Sequence, residues 1–292
     1  MKPIVKWVGG KTQILGKVLH SFPKEMTNYH ELFVGGGSVL LSLLSSKDIT
    51  VKGKVYAYDK NQKLINVYRQ IQTNPKEVHE HLLDLFTKYD TRTGTEVNRK
   101  PENEEEGMTS KESYYYLVRK MYNEFIPNTP IHAAIFIFLN KTCFRGVYRE
   151  GPNGFNVPYG HYKTTPLVIP LEELVKMQDL IKNVIFKWCD FRAAFAQTVN
   201  DGDFIYADPP YAPLSVKSFV GYTRDGFGMD DHTDLFYLLK STDIDFVMSN
   251  AKVDIVTSNF KDYKIEDIIA RRSIHSKDPS SYTTEVLISN MY

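Results

Sequence analysis

Residues 29–44, with the sequence YHELFVGGGSVLLSLL, decide the fold. The first five residues of this stretch predict a β-strand, and the last seven predict a helix with Ser38 near its N-cap. Three glycines, Gly35, Gly36 and Gly37, separate the two elements. Glycines let the backbone approach a ligand closely, and a helix N-terminus favours negative charge. The stretch therefore predicts the first strand-to-helix turn of an α/β domain, with a ligand site at the strand end.

The α/β pattern stops for about a hundred residues and then resumes. We predict further strands at 54–58, 184–188, 203–207 and 245–250, helices at 64–71 and 230–239, and a closing hairpin from 264–269 and 285–290. Between them the sequence predicts helices, an exposed loop at 90–110, an apolar helix at 131–139 and a hairpin within 140–162. We therefore expect one doubly wound α/β sheet from residues 1–63 and 184–292, with a mainly helical domain inserted at 64–183.

The composition is that of a folded globular protein, with 42% hydrophobic and 24% charged residues among 292. The longest apolar run, Ala133–Leu139, is far shorter than the roughly 20 residues that cross a bilayer. The N-terminal residues lack the apolar core and cleavage site of a secretory signal. Cys143 and Cys189 lie far apart and cannot form a disulfide framework, so we expect an intracellular protein in a reducing compartment.

Charge is balanced overall, with 36 Lys and Arg against 35 Asp and Glu, but it is uneven along the chain. The first 24 residues carry five lysines and no acid. Residues 141–163 carry Lys141, Arg145, Arg149 and Lys163 against a single acid. Basic segments on a nearly neutral chain suit phosphate contact at one place, and solvated surface charge is the alternative.

Asp208-Pro209-Pro210-Tyr211 follows the strand predicted at 203–207, and α/β sheets bind ligands at this carboxyl end. Two prolines remove two backbone donors, which leaves carbonyl groups free to accept. The Asp208 carboxylate and the Pro209 carbonyl can each accept one hydrogen of an NH2 group on a planar ring, which directs the nitrogen lone pair at an electrophile. Tyr211 can stack on a base taken out of its helix. A turn that merely ends the strand is the alternative.

The glycine loop and Asp59 together predict a nucleoside cofactor. Asp59 ends the second strand, roughly 20 residues beyond the loop, where an acid can hold ribose hydroxyls. The loop does not match the dinucleotide pattern G-x-G-x-x-G, because Leu40 stands where the third glycine belongs. NAD and S-adenosylmethionine both remain candidates on these residues alone.

The segment at 6–11, KWVGGK, adds a second glycine pair beside an aromatic residue and two cations, without the spacing of a phosphate-binding P-loop. The sequence has no C-x-x-C or H-E-x-x-H motif and no close cluster of His and Asp, so we expect no metal centre. Neither cysteine has an evident histidine partner, which argues against a thiolate nucleophile.

Taken together, these residues resemble the D12-class DNA adenine-N6 methyltransferases, the family of bacterial and phage Dam-like enzymes. Five segments match family motifs in the family's order. They are KWVGGK at 6–11, ELFVGGGS at 31–38 (with Leu32 where the family has proline), LNK at 139–141 with FNVPYG at 155–160, DPPYAPLS at 208–215 and RRSI at 271–274. One such match is modestly specific, whereas five in order, across nearly the whole chain, are highly specific.

The resemblance implies methyl transfer from S-adenosyl-L-methionine to the N6 of adenine in duplex DNA. It implies a Rossmann-like methyltransferase sheet that binds this cofactor, and a target-recognition domain at 64–183 that binds DNA. The family commonly methylates adenine in GATC, and Arg145 stands where the bacterial Dam enzymes carry Asn. Besides duplex DNA, the resemblance also suggests a companion restriction endonuclease as a partner.

The predicted site residues fall into three groups by role. The catalytic residues are Asp208, Pro209, Pro210 and Tyr211; the cofactor contacts are Trp7, Lys11, Phe33, Gly35, Gly37, Asp59, Asp190 and Asp208; the DNA contacts are Lys141, Arg145, Arg149, Asn156 and Tyr159. Cations position such a protein on phosphates, and selected side chains read base edges.

Three other functions compete with this hypothesis. An N4-cytosine or RNA methyltransferase would use the same chemistry on another substrate. A non-catalytic DNA-binding module of a restriction system is opposed by the intact Asp208-Pro209-Pro210-Tyr211 segment. A nucleotide-dependent dehydrogenase is opposed by the missing third glycine of the loop.

Overall fold

The computed structural model describes residues 1–125, 127–198, 201–212, 226–271 and 282–291. The chain folds as two compact units. The helical unit consists of residues 1–10 and 61–182, and the sheet unit of residues 11–60 and 183–292. The described helices are all too short or too polar to cross a membrane.

The elements are numbered in chain order among the described residues. The strands are β1 Glu25–Met26, β2 Tyr29–Glu31, β3 Thr50–Val51, β4 Val55–Asp59, β5 Glu150–Gly151, β6 Gly154–Phe155, β7 Val184–Trp188, β8 Phe204–Ala207, β9 Asp245–Ala251, β10 Lys264–Arg271 and β11 Tyr282–Ser289. The helices are α1 Leu15–His20, α2 Ser38–Leu44, α3 Gln62–Thr73, α4 Pro75–Asp90, α5 Glu104–Gly107, α6 Lys111–Glu124, α7 Pro130–Thr142, α8 Leu171–Ile181, α9 Phe191–Phe195, α10 Met229–Lys240 and α11 Asp254–Asn259.

A seven-stranded sheet with the order β10-β11-β9-β8-β2-β4-β7 forms the centre of the sheet unit. Strands β7, β4, β2, β8 and β9 are parallel, whereas β11 pairs antiparallel with both β9 and β10. The sheet confirms the predicted Rossmann-like α/β class and the closing hairpin. The assignment of residues 64–183 as a domain inserted for target recognition stays a prediction.

The central strands are buried on both faces, as expected for parallel strands that are covered on both sides, although β2 buries the polar residues His30 and Glu31. All four residues of β8 and all three of β2 are buried. Leu32, Phe246, Met248 and other side chains from neighbouring elements form one continuous core. This core fixes the strand ends at which the loops with polar side chains begin.

The strand order reverses next to β2, which lies between β4 and β8. The chain passes from β2 to β4 and β7 on one side, and later returns to β8 on the other. Ligands of open α/β sheets bind beyond the carboxyl ends of the strands at such a point. The glycine loop follows β2, Asp59 is the last residue of β4 and Asp208 follows β8, so all three lie at this edge of the sheet.

Helix α7 lies at the centre of the helical unit, where it packs against α3, α4 and α6. Its sequence, PIHAAIFIFLNKT, is apolar nearly all round, as a buried helix requires. Thr129 caps it by accepting a hydrogen bond from the His132 N–H at 3.3 Å, and Pro130 occupies the first turn. The predicted apolar helix at 131–139 is therefore present, and it extends three residues further, to Thr142.

Several details differ from the sequence predictions. Ser38 lies next to the N-cap of α2 as predicted, as the first residue inside the helix, and the N-cap itself is Gly37, with φ of 74°. The predicted loop at 90–110 contains the short helix α5, capped by the Asn103 side chain. Helix α8 was not predicted. Residues 1–10 belong to the helical unit and not to the sheet unit, because the Lys6 backbone bonds to Asn140.

Candidate active site

The centre of the site is an ion pair between the N-terminal motif and the catalytic segment. The Lys11 Nζ lies 2.8 Å from the Asp208 Oδ1, and the Lys11 side chain is only 3% exposed. The Lys11 N–H donates to the Ser38 hydroxyl at 3.2 Å, which joins this segment to the start of α2. Burial raises the pKa of Asp208 to about 6, and the Lys11 ammonium limits the rise. The structure therefore brings Lys11 and Asp208 together and keeps Asp208 ionised at neutral pH.

Glu31 is a buried acid that the sequence analysis did not assign to the site. It ends β2, and its Oε2 accepts a hydrogen bond from the Tyr29 hydroxyl at 2.7 Å. Burial raises the pKa of Glu31 to about 8, with the nearby Asp208 acting in the same direction. At neutral pH Glu31 is therefore mainly a neutral acid, which limits the negative charge beside Asp208.

Tyr211 is held from three directions. Its hydroxyl donates to the Glu285 Oε2 at 2.6 Å, and the Lys11 Nζ lies 4.6 Å from its ring centroid. The N–H of the next residue, Ala212, donates to the Asn250 Oδ1 at 3.1 Å. Burial and the carboxylates of Asp208 and Glu285 raise the pKa of the Tyr211 hydroxyl far above its ordinary value, so the hydroxyl stays a donor.

The glycine loop and Asp59 contact each other, as two halves of one site would. The Gly35 N–H donates to the Asp59 Oδ2 at 3.0 Å. Gly35 and Gly37 have φ of 48° and 74°, which is the left-handed region that favours glycine. The Phe33 ring packs against Phe191 and Phe227, with centroids 5.6 Å away in each case.

Asp190 caps a helix and pairs with an arginine. Its Oδ1 accepts from the Arg192 N–H at 3.0 Å at the start of α9, and from the Arg192 Nη1 at 3.1 Å. Arg192 also contacts Asp231 and Asp234 on α10. Because β4 and β7 pair side by side, with Asp59 opposite Trp188, Asp190 lies two residues beyond the end of the strand next to Asp59, and the Cys189 N–H donates to the Asp59 carbonyl at 3.2 Å. Both acids therefore lie at one edge of the sheet.

In the helical unit, Asn140 holds two predicted motifs together. Its Oδ1 accepts from the Lys6 N–H at 2.7 Å, and its Nδ2 donates to the Lys6 carbonyl at 2.9 Å and the Gly146 carbonyl at 3.0 Å. Trp7 stacks on Tyr148, with ring centroids 5.4 Å apart. Trp7 is thus held within the helical unit, while the other predicted cofactor contacts belong to the sheet unit.

Arg145 lies in a tight turn that directly follows α7. Arg145 and Gly146 both have left-handed backbone conformations, with φ of 58° and 68°. The Arg145 side chain is exposed, and its guanidinium lies 5.2 Å from the centroid of the exposed Phe144 ring. The predicted turn is therefore present, with the guanidinium at the surface.

The remaining predicted DNA contacts differ in their exposure. Arg149 and Asn156 are exposed and bond to each other, with the Arg149 Nε donating to the Asn156 Oδ1 at 2.7 Å. The Tyr159 hydroxyl shares a 2.7 Å hydrogen bond with that of Tyr89. Lys141 is half-buried beside a cavity of about 580 Å³, and burial together with Lys6 lowers its pKa.

Four functional candidates were missed from sequence, namely Glu31, Asn140, Asn250 and Glu285. Glu31 and Asn140 lie inside the motifs ELFVGGGS and LNK, so their motif positions were a usable signal. Asn250 and Glu285 lie on strands β9 and β11, and the sequence carries no local signal for their contacts with residues 211 and 212. The motif residues 213–215 and 272–274 lie outside the described residues.

A mostly parallel sheet with a glycine loop and acids at its carboxyl edge is consistent with a Rossmann-like methyltransferase fold. The D12 class of N6 adenine-specific DNA methyltransferases matches residues 7–274 of the chain. The chain therefore belongs to this family, and it is an adenine-specific DNA methyltransferase. The match spans the five sequence motifs, from residues 6–11 to residues 271–274, except for residue 6.

Relatives from an archaeon and two bacteria are similar over most of their length. A Type II methyltransferase M.MjaIII of Methanocaldococcus jannaschii is 33% identical over 95% of this chain and 94% of its own. The Type II methyltransferase M1.LlaDCHI of Lactococcus lactis subsp. cremoris is 32% identical over 99% and 95%. A DNA adenine methylase of Haemophilus influenzae is 31% identical over 82% and 74%.

Proposed function

We propose that this methyltransferase uses S-adenosyl-L-methionine to methylate the N6 of adenine in duplex DNA, with GATC as the first candidate site. The observation that carries the proposal is the ion pair of Asp208 with Lys11, whose Nζ also lies over the Tyr211 ring, at the carboxyl edge of β8. A carboxylate acceptor and an aromatic ring together suit a planar base that carries an amine.

The acids at this edge favour S-adenosyl-L-methionine over a dinucleotide. Asp59 ends β4, Asp208 directly follows β8 and Asp190 lies two residues beyond β7, and these three strands are parallel in one sheet. Carboxylates repel a diphosphate but attract cations and accept hydrogen bonds from hydroxyl and amine groups. S-adenosyl-L-methionine carries a sulfonium, an ammonium, ribose hydroxyls and an adenine amine, so its chemistry fits these acids.

Each predicted cofactor contact can be assigned to one part of S-adenosyl-L-methionine. Asp59 would hold the ribose hydroxyls and Asp190 the adenine amine. Phe33 would pack on the nucleoside, Gly35 and Gly37 would let it approach the backbone, and Trp7 and Lys11 would contact it from the N-terminal motif. When bound, the cofactor supplies a methyl group from its sulfonium.

The residues of the catalytic segment would orient the target amine. Asp208 and the Pro209 carbonyl each accept one amine hydrogen, Pro210 stiffens the turn, and Tyr211 stacks on the base. The amine nitrogen would take up the methyl group that the bound cofactor supplies. Asp208 would accept the proton that the amine loses, and its pKa of about 6 would let it release this proton to solvent. The chain's task is positioning and electrostatics, because the sulfonium is already a good electrophile.

The DNA contacts are proposed from the helical unit. Arg145, Arg149, Asn156 and Tyr159 lie on or beside the turn and hairpin that follow α7, and Lys141 is on the last turn of α7. The exposed cations would contact phosphates or base edges. Two relatives are named type II methyltransferases, which supports the expectation of a companion restriction endonuclease.

Methylation of a plasmid, followed by sequence-resolved detection of modified bases, tests the proposal. We expect N6-methyladenine at one short sequence, and only when S-adenosyl-L-methionine is supplied. Methyl groups on cytosine N4, or on RNA alone, would contradict the proposed substrate. Methylation at a single sequence other than GATC would leave the chemistry intact and replace the candidate site.

A further inference from the structure

Glu285 comes from the last described strand, yet it contacts the catalytic segment. It lies on β11, opposite Ala251 in the antiparallel pairing of β11 with β9, and β9 in turn pairs with β8. The sheet therefore holds Glu285 in a fixed position relative to the end of β8. Its Oε2 accepts a hydrogen bond from the Tyr211 hydroxyl at 2.6 Å. Such a short bond to a carboxylate is of the strong, charge-assisted kind.

The other contacts of Tyr211 leave its ring little freedom to turn. The Asn250 side chain holds the N–H of Ala212, the next residue along the chain, at 3.1 Å. The Lys11 Nζ lies 4.6 Å from the ring centroid, over one face of the ring. The backbone, one ring face and the hydroxyl are each held by a different side chain. Of these three contacts, the bond to Glu285 is the one that fixes the outer end of the ring.

We propose that Glu285 is a positioning residue for methyl transfer, which fixes the Tyr211 ring in the orientation that stacks on the target adenine. The inference rests on the proposed function, because it assumes that Tyr211 contacts the flipped base. A Tyr211 ring that is already fixed before the base binds loses less conformational entropy when it stacks on the base. A loosely held ring would leave the target amine misplaced relative to Asp208.

A double-mutant cycle between Glu285 and Tyr211 tests the inference. The variants are Glu285→Ala, Glu285→Gln, Tyr211→Phe and the double variant Tyr211→Phe/Glu285→Ala. Glu266→Ala is the matched control, because Glu266 is an exposed glutamate on the neighbouring strand β10. Each variant is first checked for an unchanged melting temperature and for cofactor affinity by calorimetry.

Single-turnover methyl transfer at saturating DNA and S-adenosyl-L-methionine is the main measurement. We expect Glu285→Ala to slow transfer about tenfold, the loss of one charge-assisted hydrogen bond, with unchanged cofactor affinity. Tyr211→Phe should lose a similar factor, and the double variant should lose no more than either single variant. Glu285→Gln should recover most of the rate, because its amide oxygen can still accept from Tyr211. Glu266→Ala should react at the wild-type rate.

A second readout reports on stacking directly. DNA with 2-aminopurine at the target adenine should be brighter when bound to Glu285→Ala than to wild type, because a loosened ring quenches the flipped base less. Additive losses in the double variant, a wild-type rate in Glu285→Ala, or no recovery in Glu285→Gln would overturn the inference. If Glu285→Ala does not fold, Glu285→Gln and Tyr211→Phe still decide it. A wild-type protein that leaves DNA unmethylated would refute the proposed function itself, and this inference with it.

Discussion

The two units differ in the side chains around their candidate functional residues. In the sheet unit, charged and titratable groups are buried against one another, as in the contacts of Lys11 with Asp208 and of Tyr29 with Glu31. In the helical unit, the buried Asn140 is neutral and makes three hydrogen bonds to backbone groups. The cations Arg145 and Arg149 of that unit are exposed.

This difference supports the proposed division of roles, with chemistry and cofactor binding in the sheet unit and DNA contacts in the helical unit. Buried groups with shifted pKa values can handle protons and orient an amine, because they interact strongly in a site of low dielectric. Exposed cations are screened by salt and contribute to association and register on DNA. Substitutions in the sheet unit should therefore change the rate or the cofactor affinity, and those of the exposed cations should change DNA binding.

The largest effect is expected for Asp208. We predict that Asp208→Ala slows single-turnover methyl transfer by about 100- to 10,000-fold, the range for removal of a group that positions and accepts protons. Removing the carboxylate also leaves Lys11 buried without its partner, which can destabilise the protein. Asp208→Asn, which keeps the shape of the side chain, is therefore measured in parallel. Asp243→Asn, at an exposed position in the same unit, is the control. Wild-type rates in a folded Asp208 variant would contradict the proposed role.

The same contrast shows what could be predicted from sequence. The segments around Asp208 and the glycine loop were recognisable because local strand, turn and helix signals surround them. The contact between Glu285 and Tyr211 was not, because it depends on the register of β11 with β9 across 74 residues of sequence separation. The bonds of Asn140 to Lys6 join residues 134 positions apart, which no local pattern reports.

Two differences between the sequence predictions and the structure have different physical causes. Helix α8 carries buried Leu174, Met177 and Ile181, a helical spacing that is visible in the sequence. Residues 1–10 were predicted as part of the sheet domain, and they group with the helical unit for another reason. Their backbone polar groups are satisfied by Asn140, a tertiary contact that decides which unit they join. Local sequence patterns therefore predict helices and strands, whereas long-range hydrogen bonds determine the boundary between the two units near residue 10.

Glu31 should make the stability of the protein depend on pH. Its pKa is raised by burial from an ordinary 4.5 to about 8, so the folded protein binds a proton that the unfolded chain has lost. This contribution is complete below about pH 4 and disappears as the pH rises towards 8, with a size on the order of a few kcal/mol. Glu31→Gln should remove this part of the pH dependence. Urea unfolding from pH 5 to 8 measures it, and parallel curves for the two proteins would contradict the assignment.

A smaller effect is expected for Asp59. If Asp59 holds the ribose, Asp59→Ala should weaken the binding of S-adenosyl-L-methionine by roughly 1.5–3 kcal/mol. This is the value of a hydrogen bond to a charged group. Asp59→Asn separates two roles, because its side-chain oxygen can still accept from the Gly35 N–H. Calorimetry measures the affinity of each variant for S-adenosyl-L-methionine. The affinity for DNA, measured without cofactor, should barely change. Asp48→Ala, at an exposed position in the same unit, is the control. Equal cofactor affinity in the wild-type protein and all variants would contradict a role of Asp59 in cofactor binding and leave it a structural role only.

The smallest and most selective effect concerns Arg145 in the helical unit. Arginine is the usual bidentate reader of guanine O6 and N7, and losing such a contact costs about 1–3 kcal/mol. A contact to phosphate is the alternative, since half or more of protein–DNA hydrogen bonds go to the backbone. Because φ at this position is 58°, Arg145→Asn is the variant of choice: asparagine tolerates the left-handed region better than alanine does. Arg149→Ala is the comparison variant.

Methylation rates on a panel of single-base variants of the site distinguish the two roles of Arg145. If Arg145 reads a guanine, Arg145→Asn should lose discrimination at one base pair while the other positions keep theirs. If Arg145 contacts phosphate, Arg145→Asn should weaken the binding of all sequences by the same factor. The slope of log affinity against log salt concentration should also fall by about one unit. Arg149, whose Nε bonds to the Asn156 side chain, should give the uniform pattern when replaced. A uniform loss for Arg145→Asn as well would refute base reading by Arg145 and leave both arginines as phosphate contacts.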